Sequence, residues 1–498
     1  MKILLVQPAP FEPGRLGLEN IVWLSEPVAL TSLAAMVPDH EVRLLDMRLE
    51  QDVVLNQTLL DWRPDVVATT SMTTDCYQAL AVMHIAKGTL GAQVFTMVGG
   101  HHPSMSPEFF EDPVVDAMVI GEGEETFEEL IRHLAGGGDR RQLHQIAGVR
   151  FKDGDAWFST LKRHQNRVLD TFPAPARHLI PKRYKKEYFF TIASPMASMA
   201  TSRGCSFDCN FCSIWEFYER RTRFLSAKVI CDRLESMAER FVFWLDDNFL
   251  TSKPRLEELC EEIKRRKIKK YFATQGRTDF IADNPELMRK LRDAGLMMVL
   301  SGYESNHDDA LAALRKKSTW DKNVRAAEIM RDLGLISTGI FMARPDFTAA
   351  DFDALYATIN EMGVAIPLVT ILTPLPGTQL YKEKEKELLT KDQRLFDLLH
   401  VVTPTRLPRA EFYRKYAEWN DATLPSYKRG VWSAMKKRPL MFLQSLPGTW
   451  RYYQKAINYR PIVRSADSHL RDEIGIIPVE VTAATVAANA TDGKKMVG

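Results

Sequence analysis

Cysteine is scarce: the chain carries six in 498 residues. That number excludes a disulfide-built secreted domain, and no second CxxC or HxxxH is present to complete a structural zinc site. No run of eighteen apolar residues occurs, so no membrane-spanning helix is expected. Neither sign of charge dominates, with 66 Lys and Arg against 64 Asp and Glu and a net charge of +2. The basic excess of a nucleic-acid-binding protein is therefore missing. No Ser–His or His–carboxylate constellation stands out, so no side chain is assigned as a catalytic acid, base or nucleophile. The opening MKILLVQPAP is too short, and broken too soon by Pro8, for a signal peptide, and a cytoplasmic location is the expectation. What is present is an ordinary soluble composition, 45% hydrophobic and 26% charged, on a chain long enough for two or three domains.

Apolar runs alternate with helical stretches over residues 1–135. KILLVQP, EVRLLDM, PDVVATTS, QVFTMVGG and DAMVIGEGE have the continuous hydrophobicity of buried parallel strands. Helical patterns at Pro27–Val37 and Tyr77–Gly88 lie between them, which predicts a doubly wound α/β sheet of Rossmann-like type. Ligands bind such sheets at the carboxyl ends of the strands. Three of those ends are polar or glycine-rich: Thr69–Thr74, GGHHP from Gly99, and GEGE from Gly121. Residues 136–195 read as a connector holding a hairpin around Lys152–Asp155. Residues 196–385 contain six further strand–helix repeats, from SMATSRG to PLVTILTPLP. Residues 386–480 are mostly helical in pattern, and 481–498 form a small, polar tail expected to be disordered.

Three of the six cysteines, Cys205, Cys209 and Cys212, stand together as C-x3-C-x2-C. Thiolates at this spacing suit an iron–sulfur cluster, and three ligands on a four-iron cube leave one iron open for a small molecule. Cys76, Cys231 and Cys260 read as buried structural residues.

The triplet, with Phe211 before its last cysteine, resembles the CxxxCxΦC motif of radical S-adenosylmethionine (SAM) enzymes. The runs GGHHPSMSPE and VIGEGEETFEEL resemble the cobalamin-binding domain that precedes the radical SAM core in one large subfamily. The DxHxxG motif that supplies a histidine to cobalt is absent, and Asp75 and His84 do not replace it. The resemblance implies a cobalamin-binding Rossmann-like domain, a partial (β/α)6 TIM barrel and a helical C-terminal region. Its implied cofactors are a [4Fe-4S] cluster, SAM and cobalamin. Cys205, Cys209 and Cys212 would hold the cluster, and Phe211 would lie near the adenine. At the strand ends, Asp247 would meet the methionine amino group and Arg277 the carboxylate, while Glu304 and Ser305 would meet the ribose. Gly99, Gly100, His102, Gly121 and Glu122 would line the cobalamin.

Together the two halves imply a C-methyltransferase acting on an unactivated carbon, with a reduced flavodoxin or ferredoxin as electron donor. The segments CSIWEFYERRTRFLSAKVI and LTPLPGTQLYKEKEKELL resemble hopanoid C-3 methylases. That resemblance runs from residue 1 to about 420 and implies a lipid substrate, no nucleic-acid partner and peripheral contact with the inner face of the membrane. The mixed basic and aromatic stretch Trp432–Tyr459 fits such contact. The other readings are a tetrapyrrole cyclase, a methylase of peptides or other natural products, and a cofactor-binding sensor.

Overall fold

The first apolar run, Ile3 to Val6, is wholly buried. Its strand has no wet face, so a parallel sheet covered by helices on both sides accommodates it. The computed structural model describes residues 1–9, 22–139, 142–154, 156–463, 465–473 and 476. It resolves into two units. One holds the N-terminal strand, Ser25–Tyr188 and Glu216–Glu219; the other holds Phe189–Trp215 and the chain from Arg220 onward, with Trp23–Leu24. The tail 481–498 lies outside the described residues.

In the first unit, β1 (Lys2–Gln7), β2 (Glu41–Asp46), β3 (Val66–Thr70), β4 (Phe95–Gly99) and β5 (Ala117–Val119) pair in parallel in the order β2-β1-β3-β4-β5. This is the flavodoxin-like order, and its direction reverses between β1 and β3. Leu4, Val6, Val67, Val98 and Met118 pack from the sheet against Leu55, Leu59, Val82 and Met83 of two helices. The hairpin of β6 (Val149–Asp153) and β7 (Ala156–Ser159) forms as its sequence predicts. It is not a free connector, because β6 pairs antiparallel with β5 and extends the sheet to seven strands. Val149 and Phe151 alternate inward along β6, and their burial on the sheet favours this docking.

In the second unit, six parallel strands follow one another in chain order: β8 (Met196–Met199), β9 (Phe241–Trp244), β10 (Tyr271–Gln275), β11 (Leu296–Glu304), β12 (Ile336–Ala343) and β13 (Ile366–Ile371). Among the described residues β8 and β13 do not pair, so the barrel is partial. The helices Trp320–Leu333 and Ala349–Met362 are two of those that alternate with the strands. Thr348 and Asp351 form a reciprocal capping box at the start of the second. Gly363, at φ +68°, ends it in the left-handed conformation glycine tolerates. Phe243, Ala273, Met298 and Ile366 share a core with Met441 and Phe442 of the C-terminal helices. Those helices are Arg409–Ala417, Leu424–Lys437, Pro439–Val463 and Ala466–Asp472. Among the described residues no helix is long and apolar enough to cross a membrane.

Candidate cofactor-binding sites

The cysteine loop follows β8 and lies at the carboxyl end of the barrel strands. Cys209 is buried, while Cys205 and Cys212 are half-buried. Neighbouring elements fix the loop. Asn210 donates its backbone N–H to Leu314 O (3.3 Å) and its side-chain amide to Ala313 O (3.0 Å), and its carbonyl accepts from Leu380 N (2.8 Å). Trp215 Nε1 donates to Cys209 O at 2.9 Å, which gives that aromatic residue a supporting role in the loop. Burial pushes the Cys205 thiol up and the Cys212 thiol up to about 12. The Arg277 guanidinium opposes the shift at Cys205. Thiolate ligation therefore requires proton release as the metal centre enters.

Two adjacent carboxylates at the end of β9 hold the strand before this loop. Asp246 is fully buried and accepts from Thr201 N (2.6 Å), Ser202 N (3.1 Å), both hydroxyls of those residues, and lies 3.8 Å from Arg255 Nη2. Asp247 is half-buried, and its Oδ2 accepts from Gly204 N at 2.8 Å, immediately before Cys205. Burial raises its carboxyl to about 6. Asn248, the third polar residue of this strand end, is buried with neither amide atom bonded among the described residues. Leaving both amide atoms of one buried side chain without partners is costly, and a polar ligand would remove that cost.

Arg277, after β10, is placed differently from its expected role at a free carboxylate. Its Nε and Nη2 grip Asp279 at 2.9 and 3.0 Å, Nη2 also donates to Lys316 O, and its plane lies 3.6 Å over the Phe207 ring. Its Nη1 reaches Cys209 Sγ at 3.9 Å. The guanidinium is therefore directed at the Cys209 thiol. At the end of β11, Glu304 pairs with Lys316 Nζ at 2.6 Å, both buried, and its Oε2 has no partner among the described residues. Gly302 makes room for this pair, since a Cβ there would lie 2.0 Å from Glu304 Oε1. Ser305 Oγ accepts from His307 N at 3.2 Å at the start of the helix Asp308–Ala313. Phe211 is half-buried in the loop itself.

In the first unit the two glycine motifs are tied together. Ser104 Oγ donates to Gly100 O (2.7 Å) and accepts from Gly121 N (2.9 Å). Gly100 sits at φ +102°, and a Cβ there would meet Thr70 Oγ1 at 2.6 Å. Gly99 brings β4 close to Val119 on β5. Gly121 and Glu122 line a pocket with Glu125, Arg163, His164 and Phe217. His102, expected to line a ligand, lies wholly buried beneath the strand ends. Its Nδ1 meets Thr73 Oγ1 at 3.2 Å, and its ring packs edge-on against Phe109 and Phe110. The half-buried member of the doublet is His101, stacked on Phe217 with centroids 5.6 Å apart. Alternation along a helical turn sends adjacent residues to different faces, which motif spacing alone does not resolve.

The donor sets fit the implied groups. Three thiols with a guanidinium beside one of them suit an anionic iron–sulfur cube. Among the described residues no three His, Cys, Asp or Glu side chains converge as ligands of a single ion must. A cube instead spreads its thiolates over separate irons. Glycine strand ends at positive φ give a flat ligand access to backbone.

Comparison with known proteins agrees with this division. Residues 15–131 match the B12 binding domain family, and residues 199–359 match the radical SAM superfamily. The chain is 30% identical over 447 residues to the hopanoid C-3 methylase of Methylococcus capsulatus, covering 88% of this chain and 82% of that protein. It is 27% identical to the bacteriochlorophyllide d C-8(2)-methyltransferase of Chlorobaculum tepidum, covering 75% and 79%. It is 25% identical to the anaerobic magnesium-protoporphyrin IX monomethyl ester cyclase of Cereibacter sphaeroides, covering 75% and 61%. Among solved structures, the cobalamin-dependent SAM radical enzyme OxsB, with aqua-cobalamin and SAM bound, shares the fold. Its TM-score is 0.65 at 16% identity, over 99% of this chain and 75% of that one. The chain belongs to the cobalamin-dependent radical SAM methyltransferase family. Its cofactors are a [4Fe-4S] cluster, SAM and cobalamin.

Proposed function

We propose that this enzyme methylates an unactivated ring carbon of a hopanoid lipid, at C-3. The observation that carries the reading is the 30% identity to a hopanoid C-3 methylase over 88% of the chain, a span that takes in both cofactor domains. When bound, the cluster and SAM supply the one-electron chemistry that activates a C–H bond, and methylcobalamin supplies the methyl carbon. The protein's part is to bind, orient and exclude water.

In this reading Cys205, Cys209 and Cys212 hold the cluster, and Arg277 acts on it through Cys209. Phe211 packs near the adenine. Asp247 and the unpartnered amide of Asn248 receive the polar end of SAM, while Glu304 and Ser305 receive its ribose. Gly99, Gly100, Gly121 and Glu122 border the cobalamin, and His102 supports them from below. Electrons come from a reductant such as flavodoxin or ferredoxin.

Mass spectrometry of total lipids from a hopanoid-producing host, with and without the gene, tests the substrate. A hopanoid heavier by one methyl, with the mass on the A/B-ring fragment, is expected. An unchanged hopanoid profile, alongside purified anaerobic protein that still cleaves SAM, would discard the lipid and keep the chemistry. The search would then turn to tetrapyrroles, the substrates named for two of its relatives.

A further inference from the structure

The longest stretch of one-signed charge in the chain is carried by its C-terminal helices. Residues 422–466 contain nine Lys and Arg and no Asp or Glu. The helices Leu424–Lys437 and Pro439–Val463 occupy this stretch, and both are pressed onto the barrel through glycines. A Cβ on Gly430 would fall 2.4 Å from Ala365 Cα, just before β13, and one on Gly448 would fall 2.1 Å from Ile192 O, just before β8. Arg438 Nη1 donates to the carbonyl of Leu296, the first residue of β11, at 2.6 Å. Ser426 Oγ donates to Val364 O at 2.8 Å. All four contacts lie at the amino ends of the strands, the end opposite the cysteine loop.

The outer face of the same helices is apolar. Trp432, Leu440, Leu443, Leu446 and Trp450 are 55–63% exposed, and the last four recur at the three- and four-residue steps of one helix face. The other large hydrophobic residues that stand exposed among the described ones are scattered singly between Val53 and Val168, in the first unit. Lysines flank the stripe: Lys428 and Lys436 are exposed, and Lys436 Nζ lies 5.2 Å over the Trp432 ring. Leucine and tryptophan on one face, with basic residues beside them and no acid within the segment, form the pattern of an element that lies in the headgroup layer of an anionic bilayer. A second copy of the chain fits poorly, because face-to-face docking would bring two acid-free basic segments together.

We propose that the face formed by Trp432, Leu440, Leu443, Leu446 and Trp450 seats the enzyme on an anionic lipid bilayer. The seat is at the amino end of the barrel, so it tethers the protein and is separate from the cluster end where SAM is cleaved. The proposal goes beyond the substrate assignment, since a bilayer of any anionic lipid satisfies it.

Flotation of the anaerobic holoenzyme with hopanoid-free vesicles tests it independently of the substrate. Vesicles of phosphatidylcholine with phosphatidylglycerol should carry the protein to the top of the gradient, and vesicles of phosphatidylcholine alone should not. The double variant Leu443→Ser, Trp450→Ser should lower the bound fraction roughly tenfold, while its SAM cleavage stays within about twofold. The charge reversal Lys428→Glu, Lys436→Glu leaves all five apolar side chains in place and should weaken binding in the same direction, which covers poor folding of the first variant. Failure to float, or equal flotation of wild type and both variants, would overturn the proposal. So would a concentration-dependent dimer in vesicle-free gel filtration that the same substitutions abolish.

Discussion

Asp246 and Asp247 are neighbours in sequence with different tasks. Asp246 holds Thr201 and Ser202 with both oxygens and lies 3.8 Å from Arg255, so it shapes the approach to the cysteine loop. Asp247 accepts from Gly204 N, the residue immediately before Cys205, and so holds the start of the loop itself. His102 shows the same division within a doublet. Burial, with the His101 ring beside it, lowers the His102 imidazole to about 4 from an ordinary 6.5. An unfolded chain takes up the proton near 6.5, whereas the native ring stays neutral until about 4, so acid pulls the equilibrium toward unfolding in that window. At its lower end the effect is about 3 kcal/mol for this one group. Chemical denaturation of wild type and His102→Gln between pH 7 and 4 should show a shallower acid-side loss in the variant. Equal slopes would mean that the native ring takes up its proton near the ordinary 6.5, as the unfolded chain does.

At the scale of an element, the strand ends are shaped by backbone conformation as much as by side chains. Gly100 combines φ +102° with a space that Thr70 and Ser71 already fill. Gly121 has φ +86° but open surroundings. Gly100→Ala should therefore cost about 3 kcal/mol, from strain together with a clash, and weaken cobalamin binding. Gly121→Ala should cost about 1 kcal/mol, from strain alone. Thermal unfolding with cobalamin titration of the two variants would check the order. A reversed order would show that the turn after β4 rearranges freely. The β6–β7 hairpin carries a related lesson, since its turn residues predict the hairpin but not the sheet edge it joins.

At the scale of the molecule, each unit has its own core and its own cofactor motif. Replacing Cys205, Cys209 or Cys212 with Ala should abolish SAM cleavage and the iron–sulfur absorption while leaving cobalamin binding within about twofold of wild type. SAM cleavage retained in all three variants would remove the cluster from these residues. Loss of cobalamin binding in all three would show that the two cores are energetically coupled.

The sequence by itself determined the order of parts. Continuous apolar runs mark doubly buried strands, and the helical patterns between them set the alternation of strand and helix. The spacing of three cysteines identified the chemistry, because thiolate ligation by a short loop is a local property. Only the tertiary structure decided which polar groups meet. Lys316 reaches Glu304, Asp279 occupies Arg277, the side-chain amide of Asn248 has no partner among the described residues, and His102 lies under the strand ends while His101 lies nearer the surface. Each of these depends on groups brought together by packing or on which face of a turn is covered. A linear pattern carries neither fact, because the free energy of burying a polar group is set by neighbours that arrive from elsewhere in the chain.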